Sequence, residues 1–246
     1  MEGLGIDIGG TGMKAAVVDL ESGDLLADRL RIDTPSPATP DAMAVVVREL
    51  VEHFSWTAPV GVGFPAVVRN GVVGSAANID ASWIKVDADA LFTKATGLAV
   101  HMINDADAAG VAEVRFGAGR GRTGVVMMLT FGTGIGSGLF IDGVLVPNTE
   151  LGHLEIDGHD AESQAAASAR KRQQLSWSEW AMRVQRYLEH VERLFSPDLF
   201  IVGGGASKQS GQWLPHVHID TEIVPAQMAN NAGIVGAALS APRASQ

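Results

Sequence analysis

Residues 4–19 of the chain read LGIDIGGTGMKAAVVD, and this stretch decides the fold. Apolar residues predominate in Leu4–Ile8 and Met13–Asp19, the two segments that flank Gly9-Gly10-Thr11-Gly12. Short apolar segments separated by a glycine-rich turn are typical of a strand, a tight turn and a second strand. We therefore expect a strand–turn–strand unit near the start of the chain.

The same pattern returns at residues 127–142, which read MMLTFGTGIGSGLFID. Without gaps, Gly132 aligns with Gly9. Asp142 then aligns with Asp19, so each unit has an aspartate ten positions after its first glycine. Glycine-rich hairpins are common, but the shared ungapped register favours an internal repeat. The repeat predicts two related lobes.

Strands and helices alternate in both halves of the chain, which predicts an α/β fold. Helical spacing of apolar residues and capping signals predict helices over Asp41–Phe54, Asp87–Thr96, Ala106–Phe116, Ser176–Phe195 and Asn231–Leu239. Further apolar runs predict strands over Leu25–Ile32, Val60–Phe64, Val100–Ile103, Val125–Phe131, Leu139–Ile141 and Leu199–Val202. The polar stretch from Gly158 to Leu175 is expected to be irregular.

Composition excludes several classes of protein. The 246 residues contain 28 acidic and 18 basic side chains, a net charge of −10, and no cysteine. Disulfides, cysteine nucleophiles and thiolate zinc sites are therefore excluded, and the acidic balance argues against broad binding to nucleic acid or to anionic membranes. No apolar stretch approaches the ~18 residues of a membrane span, and Met1-Glu2-Gly3-Leu4 does not resemble a signal peptide. We expect a cytoplasmic protein.

Three glycine clusters each follow an apolar strand: Gly9–Gly12, Gly132–Gly138 and Gly203–Gly205. Glycine lets backbone N–H groups converge on one concavity, which suits a phosphate group. The carboxyl edge of an open α/β sheet is also where such sheets bind ligands. The Walker pattern does not fit, because Gly9 to Lys14 lacks the spacing G-x-x-x-x-G-K-[ST]. The Rossmann pattern does not fit either, because the first turn leads into a strand and not into a helix.

Acidic residues stand beside these clusters. Asp7 lies within the first apolar strand, where it either caps its own turn or anchors a hydrated Mg²⁺ beside the phosphates. Asn104-Asp105, followed by Asp107, ends a strand and begins a helix. These residues are either a helix cap or a catalytic carboxylate at the strand's carboxyl end, and the motif alone leaves both open.

Residues 150–155 read ELGHLE and place two carboxylates and an imidazole within six residues. Such a set can bind a metal, although the spacing is not that of a helical zincin motif. It can also bind sugar hydroxyls through paired hydrogen bonds, or it can be a solvated polar loop. The segment by itself does not decide among the three.

Five segments together resemble the ROK sugar kinases, within the superfamily of actin, hexokinase and Hsp70. DIGGTGMK at 7–14 resembles the first phosphate motif, LTFGTGIG at 129–136 the second, and GGGAS at 203–207 the nucleotide motif. NDADA at 104–108 and NNAG at 230–233 resemble the two connecting segments. The five segments stand in the family's order along the whole chain.

Within that family the chain is most similar to the polyphosphate glucokinases of actinobacteria. GHLEIDGHDAE at 152–162 carries the likeness, together with LSW at 175–177 and the stretch from Gly205 to Pro215. Many ROK members follow the glycine–histidine with a cysteine-rich zinc motif, which this chain lacks, so a structural zinc is not expected. Because only six residues precede Asp7, we do not expect the DNA-binding segment of the family's repressors.

The resemblance implies an actin/hexokinase-like, ribonuclease H-like fold with two lobes that close over a central cleft. Residues 1–109 would form the N-terminal lobe, with the first phosphate motif and the catalytic aspartate. Residues 110–246 would form the C-terminal lobe, with the second phosphate and nucleotide motifs, and the last helix would pack on the first lobe.

The resemblance also implies roles for individual residues. Asp105 would accept the proton of the 6-hydroxyl of glucose. The sugar hydroxyls would be held by Asn78, Asn104, Glu150, His153 and Glu155. The phosphates would be held by Asp7, Gly9, Gly10, Thr11, Gly12, Lys14, Gly132, Thr133, Gly134, Gly204 and Gly205. Asp7 would also anchor the Mg²⁺ cofactor.

The expected reaction is phosphoryl transfer from inorganic polyphosphate to glucose by a homodimer. The alternatives are an ATP-dependent glucokinase or a glucomannokinase of the same family, and a non-catalytic sugar sensor. A polyphosphate chain needs cations beyond the phosphate turns. The candidates are Lys14, Arg115, Arg120, Arg122, the run Arg170–Arg172 and Lys208.

Overall fold

The computed structural model describes residues 1–76 and 79–242, which form two units. The first unit contains Met1–Ala112 together with residues 230–242, and the second contains Glu113–Ala229. The sequence predicted a boundary between residues 109 and 110, three residues before the one observed. The last helix belongs to the first unit, because the chain returns there at Asn230.

The first unit is built on a five-stranded sheet in the order β3-β2-β1-β4-β7. Its strands are β1 (Glu2–Ile8), β2 (Met13–Asp19), β3 (Leu30–Ile32), β4 (Val60–Phe64), the small hairpin β5 (Val68–Arg69) and β6 (Val72–Val73), and β7 (Val100–Asn104). Its helices are α1 (Pro40–His53), α2 (Ala88–Thr96), α3 (Asp105–Phe116, which continues into the second unit) and the C-terminal α8 (Ala232–Ser240).

Backbone contact between α8 and the sheet explains several glycines of the first unit. A side chain at Gly5 of β1 or at Gly61 of β4 would overlap carbonyl groups of α8. A side chain at Gly236 of α8 would overlap the carbonyl of Ala108 in α3. These positions tolerate only glycine because the elements approach each other at backbone distance.

The second unit repeats the arrangement with a sheet in the order β10-β9-β8-β13-β14. Its strands are β8 (Val125–Phe131), β9 (Ile135–Ile141), β10 (Val144–Val146), the short pair β11 (Glu155–Ile156) and β12 (His159–Asp160), β13 (Leu199–Gly203) and β14 (Glu222–Pro225). Its helices are α4 (Ala161–Ala165), α5 (Ala167–Arg172), α6 (Trp177–Phe195) and α7 (Ser210–Trp213).

Strand pairing supports the predicted repeat but corrects its register. In the first unit Asp7 lies opposite Lys14, whereas in the second unit Thr130, the counterpart of Asp7, lies opposite Gly136. The second turn is therefore one residue shorter than the first. The ungapped alignment holds for the first strand of each hairpin, but it is off by one in the second strand. Asp142 accordingly falls beyond β9 and is not the structural counterpart of Asp19.

Most predicted elements occur within one or two residues of their expected bounds, including the Asp87 cap and the Gly97 stop of α2. Three expectations were wrong. The third strand is limited to β3, with only an isolated bridge at Leu25. The second glycine cluster is mostly strand, because β9 begins at Ile135. The stretch from Gly158 to Leu175 holds α4 and α5, whose buried alanines pack into the core.

Each unit has its own apolar core. The core of the second unit contains an aromatic cluster in which Phe131 contacts Trp180, Tyr187 and Trp213 edge-on. Burial raises the pKa of the Tyr187 hydroxyl, so that this side chain remains a neutral core residue. Among the described residues, no helix is both long and apolar enough to cross a membrane.

Candidate active site

The first glycine turn, residues 9–12, is closed by a 3.1 Å hydrogen bond between its first and last residues. The Thr34 hydroxyl donates to the carbonyl of Gly9 at 2.6 Å, and Nη2 of Arg31 donates to the carbonyl of Thr11 at 2.7 Å. A planar trans peptide holds its N–H opposite its C=O, so these bonds turn the following N–H groups the other way. The turn therefore presents backbone donors suited to an anion.

Asp7 and Lys14 form a partly buried pair beside this turn. Nζ of Lys14 lies 3.2 Å from Oδ2 of Asp7, and the two residues face each other across β1 and β2. A Cβ at Gly233 would lie only 2.8 Å from Oδ1 of Asp7, so the first turn of α8 packs against the carboxylate. The positive end of the helix dipole favours a negative charge at this place.

Asn104 is buried and caps α3. Its Oδ1 accepts hydrogen bonds from the N–H groups of Ala106 at 2.9 Å and Asp107 at 3.1 Å. Its Nδ2 donates to the carbonyl of Ala66 at 3.1 Å, so much of its amide is engaged by the protein. The cap interpretation of Asn104 is therefore confirmed, and its contact with a sugar hydroxyl stays a prediction.

Asp105 is the first residue of α3 and lies partly buried at the carboxyl end of β7. Its Oδ1 accepts a hydrogen bond from the N–H of Ala106 at 2.8 Å. Strand β4 lies between β1 and β7, and all three run parallel. The glycine turn after β1 and Asp105 after β7 therefore share one sheet edge, about 10 Å apart at two interstrand spacings.

The second and third glycine segments also share an edge. Strand β13 runs parallel to β8 and pairs Gly203 with Thr130, so Gly204 and Gly132 follow at the same end of the sheet. Gly204 has a φ of +75°, and a Cβ there would lie 2.7 Å from the carbonyl oxygen of Phe131. Only glycine allows this close approach.

Helix α5 is tied directly to the second glycine turn, residues 132–134. The N–H of Ser168 donates to the carbonyl of Gly132 at 3.0 Å, and its hydroxyl donates to the carbonyl of Thr133. The basic run Arg170–Arg172 lies on this same helix. The three basic residues therefore lie within about one helical turn of Ser168, which is bound to the second glycine turn.

A cluster of one imidazole and three carboxylates lies beside the second glycine turn. His153 approaches Asp160 at 2.9 Å through Nδ1 and Glu150 at 3.9 Å through Nε2. Glu162 accepts a hydrogen bond from the N–H of Ile135 at 3.1 Å, at the residue where the turn ends and β9 begins. We call Glu150, His153, Asp160 and Glu162 the imidazole cluster.

The cluster shifts the ionisation of two of its members. The hydrogen bond that His153 donates to Asp160 raises the pKa of His153, and the charges of Glu162 and Glu150 add to the effect. Burial raises the pKa of Glu150, which the His153 charge opposes. The cluster thus favours a protonated imidazole that holds the carboxylates together.

Ligand atoms of His153, Asp160 and Glu162 lie within 4.8 Å of one another, a spacing that can hold a cation. A metal at this place would compete with the imidazole proton. Among the described residues, Asp7 belongs to no comparable group of three. A single carboxylate nevertheless fits Mg²⁺, because that ion keeps waters and binds chiefly to substrate phosphates.

Not every predicted residue joins these groups. Glu155 is exposed on β11, and in the described part of the chain no hydrogen bond or ion pair joins its carboxylate to the imidazole cluster. Asn78 lies outside the described residues. Arg31, Asp160 and Glu162 were not predicted from the sequence. Two of them, Asp160 and Glu162, stand in the GHLEIDGHDAE segment that carried the resemblance, whereas Arg31 carries no motif.

Comparison with known proteins bears on both units. The model of the ROK family matches residues 3–171. Polyphosphate glucokinase of Mycobacterium tuberculosis is 48% identical over 97% of this chain and 90% of its own length. Glucokinase of Streptomyces coelicolor is 28% identical over 96% of each chain.

Solved structures agree with the sequence matches. The inorganic polyphosphate/ATP-glucomannokinase of Arthrobacter sp. strain KM is 56% identical, with a TM-score of 0.93 over 97% of each chain. The ROK glucokinase of Streptomyces griseus, in complex with glucose and AMPPNP, is 27% identical, with a TM-score of 0.81 over 98% of this chain and 99% of its own.

Proposed function

The chain belongs to the ROK family, and from this premise we propose that it transfers a phosphoryl group from inorganic polyphosphate to the 6-hydroxyl of glucose. The fold class predicted from the sequence, α/β of the actin/hexokinase type, is confirmed by the solved ROK structures it matches.

The observation that carries the proposal is the shared sheet edge of Asp105 and the first glycine turn. Asp105 accepts the proton of the 6-hydroxyl while that oxygen bonds to the terminal phosphorus. The bridging P–O bond to the next phosphate breaks, and the donor leaves one phosphate shorter. The transition state of phosphoryl transfer is loose, so the carboxylate mainly orients the hydroxyl.

The imidazole cluster suits the other hydroxyls of the sugar. A sugar hydroxyl both donates and accepts, and a carboxylate beside an imidazolium offers one partner of each kind. His153 lies 3.9 Å from Glu150, and its ring lies within 4.8 Å of a carboxylate oxygen of Glu162, so the three side chains are close enough to contact one sugar. Asn104 and Glu155 are retained as sugar-binding residues predicted from the sequence.

Mg²⁺ would neutralise the charge that develops on the transferred phosphoryl group and its leaving oxygen. Asp7 would hold the ion together with phosphate oxygens and water. Its position beside the glycine turn and its oxygen chemistry fit this assignment. Lys14 would then be released from Asp7 toward the donor.

The donor assignment rests on the two relatives whose names include polyphosphate and on the placement of the basic residues. Arg122 is paired with Glu222 at 2.7 Å, and both side chains are exposed, so a donor phosphate would compete with a carboxylate for this cation. Arg170 stacks on Trp177 with 3.6 Å from Cζ to the ring centroid. Lys171 is exposed on α5 beside the second glycine turn, and Lys208 is exposed beside the third.

A polyphosphate chain that runs along these cations predicts a distinctive salt dependence. More charges are neutralised along a long chain than along ATP, so added salt should weaken the polyphosphate reaction more steeply. The apparent KM for each donor, measured over a series of potassium chloride concentrations at saturating glucose, gives the two slopes. Equal slopes for polyphosphate and ATP would contradict the binding of polyphosphate along a row of cations.

Asp105→Asn tests the reaction itself. The amide keeps the size of the side chain but accepts no proton, so kcat should fall by at least about 10²-fold while glucose binding persists. The matched control is Asp41→Asn, which changes an exposed aspartate in the first turn of α1, away from this edge. A coupled assay for glucose 6-phosphate measures both variants, and fluorescence titration measures glucose binding.

Near-normal turnover in Asp105→Asn would remove this carboxylate from the proton-accepting role. Glucose binding by the wild-type chain without turnover on any phosphoryl donor would instead favour the sugar sensor. The turnover rate of the wild type distinguishes the two outcomes, because only an enzyme has a measurable rate.

Mannose is a second candidate acceptor, because the Arthrobacter relative of 56% identity carries the name glucomannokinase. Glucose and mannose differ only in the configuration of one hydroxyl. Rates with each sugar under the same donor concentration distinguish a glucokinase from a glucomannokinase.

The proposal also includes a cytoplasmic homodimer. Ile141, Val144 and Val146 are exposed apolar side chains at the β9–β10 edge of the second sheet, a surface suited to a second copy. Light scattering behind size-exclusion chromatography tests the dimer, and fractionation of cells tests the location. A monomer at micromolar concentration would contradict the first expectation.

A further inference from the structure

Three strands of the first sheet place three charged side chains in one row. Asp7 lies opposite Lys14 across β1 and β2, and Lys14 lies opposite Arg31 across β2 and β3. Residues directly opposite each other project from the same face of a sheet. The row Asp7, Lys14, Arg31 therefore runs along one face beside the first glycine turn, with one negative and two positive charges.

The two cations of the row are engaged differently. Lys14 is bound to Asp7, and its side chain is 29% exposed. The Arg31 side chain is 48% exposed, and its guanidinium is paired with Asp33, itself 83% exposed. An exposed pair of this kind is weak, since solvent screens it. A ligand therefore loses less binding free energy by drawing Arg31 away from Asp33 than by drawing Lys14 away from Asp7.

The guanidinium of Arg31 also lies directly against the turn. Its Nη2 donates to the carbonyl of Thr11 at 2.7 Å, and a Cβ at Gly12 would lie 2.5 Å from its Nε. The bonds to Thr11 and Asp33 use two of the five N–H groups of an arginine. The guanidinium therefore keeps three N–H donors for a ligand. They lie beside the backbone amides of the turn, which suit a phosphate.

We propose that Arg31 binds the phosphates of the donor at the first glycine turn. The inference rests on the proposed function, because it takes this turn as the place of the donor. Arg31 holds the turn by one edge of its guanidinium and contacts phosphate oxygens by the other. It therefore adds a charged contact to a turn whose other donors are backbone amides.

The test compares Arg31→Met, which keeps the aliphatic stem, with Arg31→Lys and with the matched control Arg48→Met. Arg48 is a similarly exposed arginine of the same unit, paired with Glu52 at 3.7 Å on α1. Three quantities are measured: kcat and KM for polyphosphate and for ATP at saturating glucose, KM for glucose, and the affinity for inorganic tripolyphosphate by calorimetry without glucose.

Loss of a charge-assisted hydrogen bond predicts a fall of about 10- to 100-fold in donor kcat/KM and in tripolyphosphate affinity for Arg31→Met. The glucose KM should stay within about two-fold. Arg31→Lys should be intermediate, because it keeps the charge but loses the fork. Arg48→Met should match the wild type in each measurement.

Tripolyphosphate affinity and donor KM unchanged in Arg31→Met would overturn the inference, even if kcat fell, because that pattern is expected of a residue that only shapes the turn. If Arg31→Met fails to fold, the comparison passes to Arg31→Lys, whose unchanged affinity would have the same meaning. A wild type that uses ATP but not polyphosphate would contradict the donor assignment and leave Arg31 to be judged on ATP. Tripolyphosphate binding tests Arg31 even if the chain transfers no phosphate.

Discussion

The two glycine turns stand on the same scaffold and differ in charge. Each follows the central strand of a five-stranded sheet of one topology. In the first unit Asp7 lies opposite Lys14 beside the turn, and in the second unit Thr130 lies opposite Gly136. The first turn is therefore flanked by a carboxylate and an ammonium group. At the two corresponding positions beside the second turn stand the hydroxyl of Thr130 and a glycine, Gly136.

The two turns also differ in length, because the second is one residue shorter than the first. The first turn closes through a hydrogen bond from Gly9 to Gly12, and the second through one from Gly132 to Gly134. Because the second turn has one residue fewer, Gly136 takes the place in its hairpin that Lys14 has in the first. We infer that the first turn neutralises charge, while the second positions the donor through its backbone and supports the imidazole cluster through Glu162.

The largest expected effect comes from removing the charge of the first turn. Asp7→Asn should lower activity by about 10²-fold and raise the Mg²⁺ concentration needed for half-maximal rate, because the ion loses its only proposed protein ligand. Thr130→Val makes the matched change beside the second turn and should stay within about three-fold. Initial rates over a Mg²⁺ series measure both. Similar losses of activity in the two variants would contradict the inferred difference between the two turns.

A smaller effect should follow from distorting the second turn. A side chain at Gly134 would overlap the carboxylate of Glu162, so Gly134→Ala should displace Glu162 and disturb the imidazole cluster. We expect the glucose KM to rise about ten-fold, the loss of one good hydrogen bond to a charged group. Gly211→Ala, where a Cβ has open space, is the control. A rise in donor KM alone would place Glu162 on the donor side instead.

The smallest effect concerns pH. A carboxylate raises the pKa of one histidine in each unit: Asp160, hydrogen-bonded at 2.9 Å, that of His153, and Asp89, at 3.6 Å, that of His101. A histidine with a raised pKa stabilises the fold below its ordinary value of 6.5, and this contribution is lost as the pH rises through the raised value. The unfolding midpoint should therefore fall as the pH increases above 6.5.

The two histidines separate stability from function. His101→Gln and His153→Gln should each flatten the decline of the unfolding midpoint, but only His153→Gln should change how the glucose KM varies with pH. Thermal unfolding and initial rates over the same buffers measure this. An identical pH dependence of the glucose KM in the wild type and in His153→Gln would remove His153 from the sugar site.

Local signals predicted much of the fold. The capping box at Ser176 and the left-handed glycine at residue 97 act within a few residues, so they marked the limits of α6 and α2. The stretch from Gly158 to Leu175 was misjudged because its helices bury alanines, which give weak periodicity, and because tertiary packing decides their structure. The repeat was found, but pairing register depends on turn length, which the alignment did not resolve.

Motifs identified part of the candidate site. Asp7 and Asp105 were predicted as site residues through the resemblance and through their places at strand ends, and their roles stay predictions. Arg31 was missed because its contact with Thr11 joins residues twenty positions apart, across two strands. Glu162 was missed because its role appears only when α4 packs against the second turn.

The central claim is that this chain phosphorylates glucose with inorganic polyphosphate as the donor. The most direct test is kcat/KM for long-chain polyphosphate and for ATP, measured with purified protein at equal ionic strength, Mg²⁺ and saturating glucose. The account predicts a higher value for polyphosphate. A higher value for ATP would contradict it and would make the chain an ATP-dependent glucokinase.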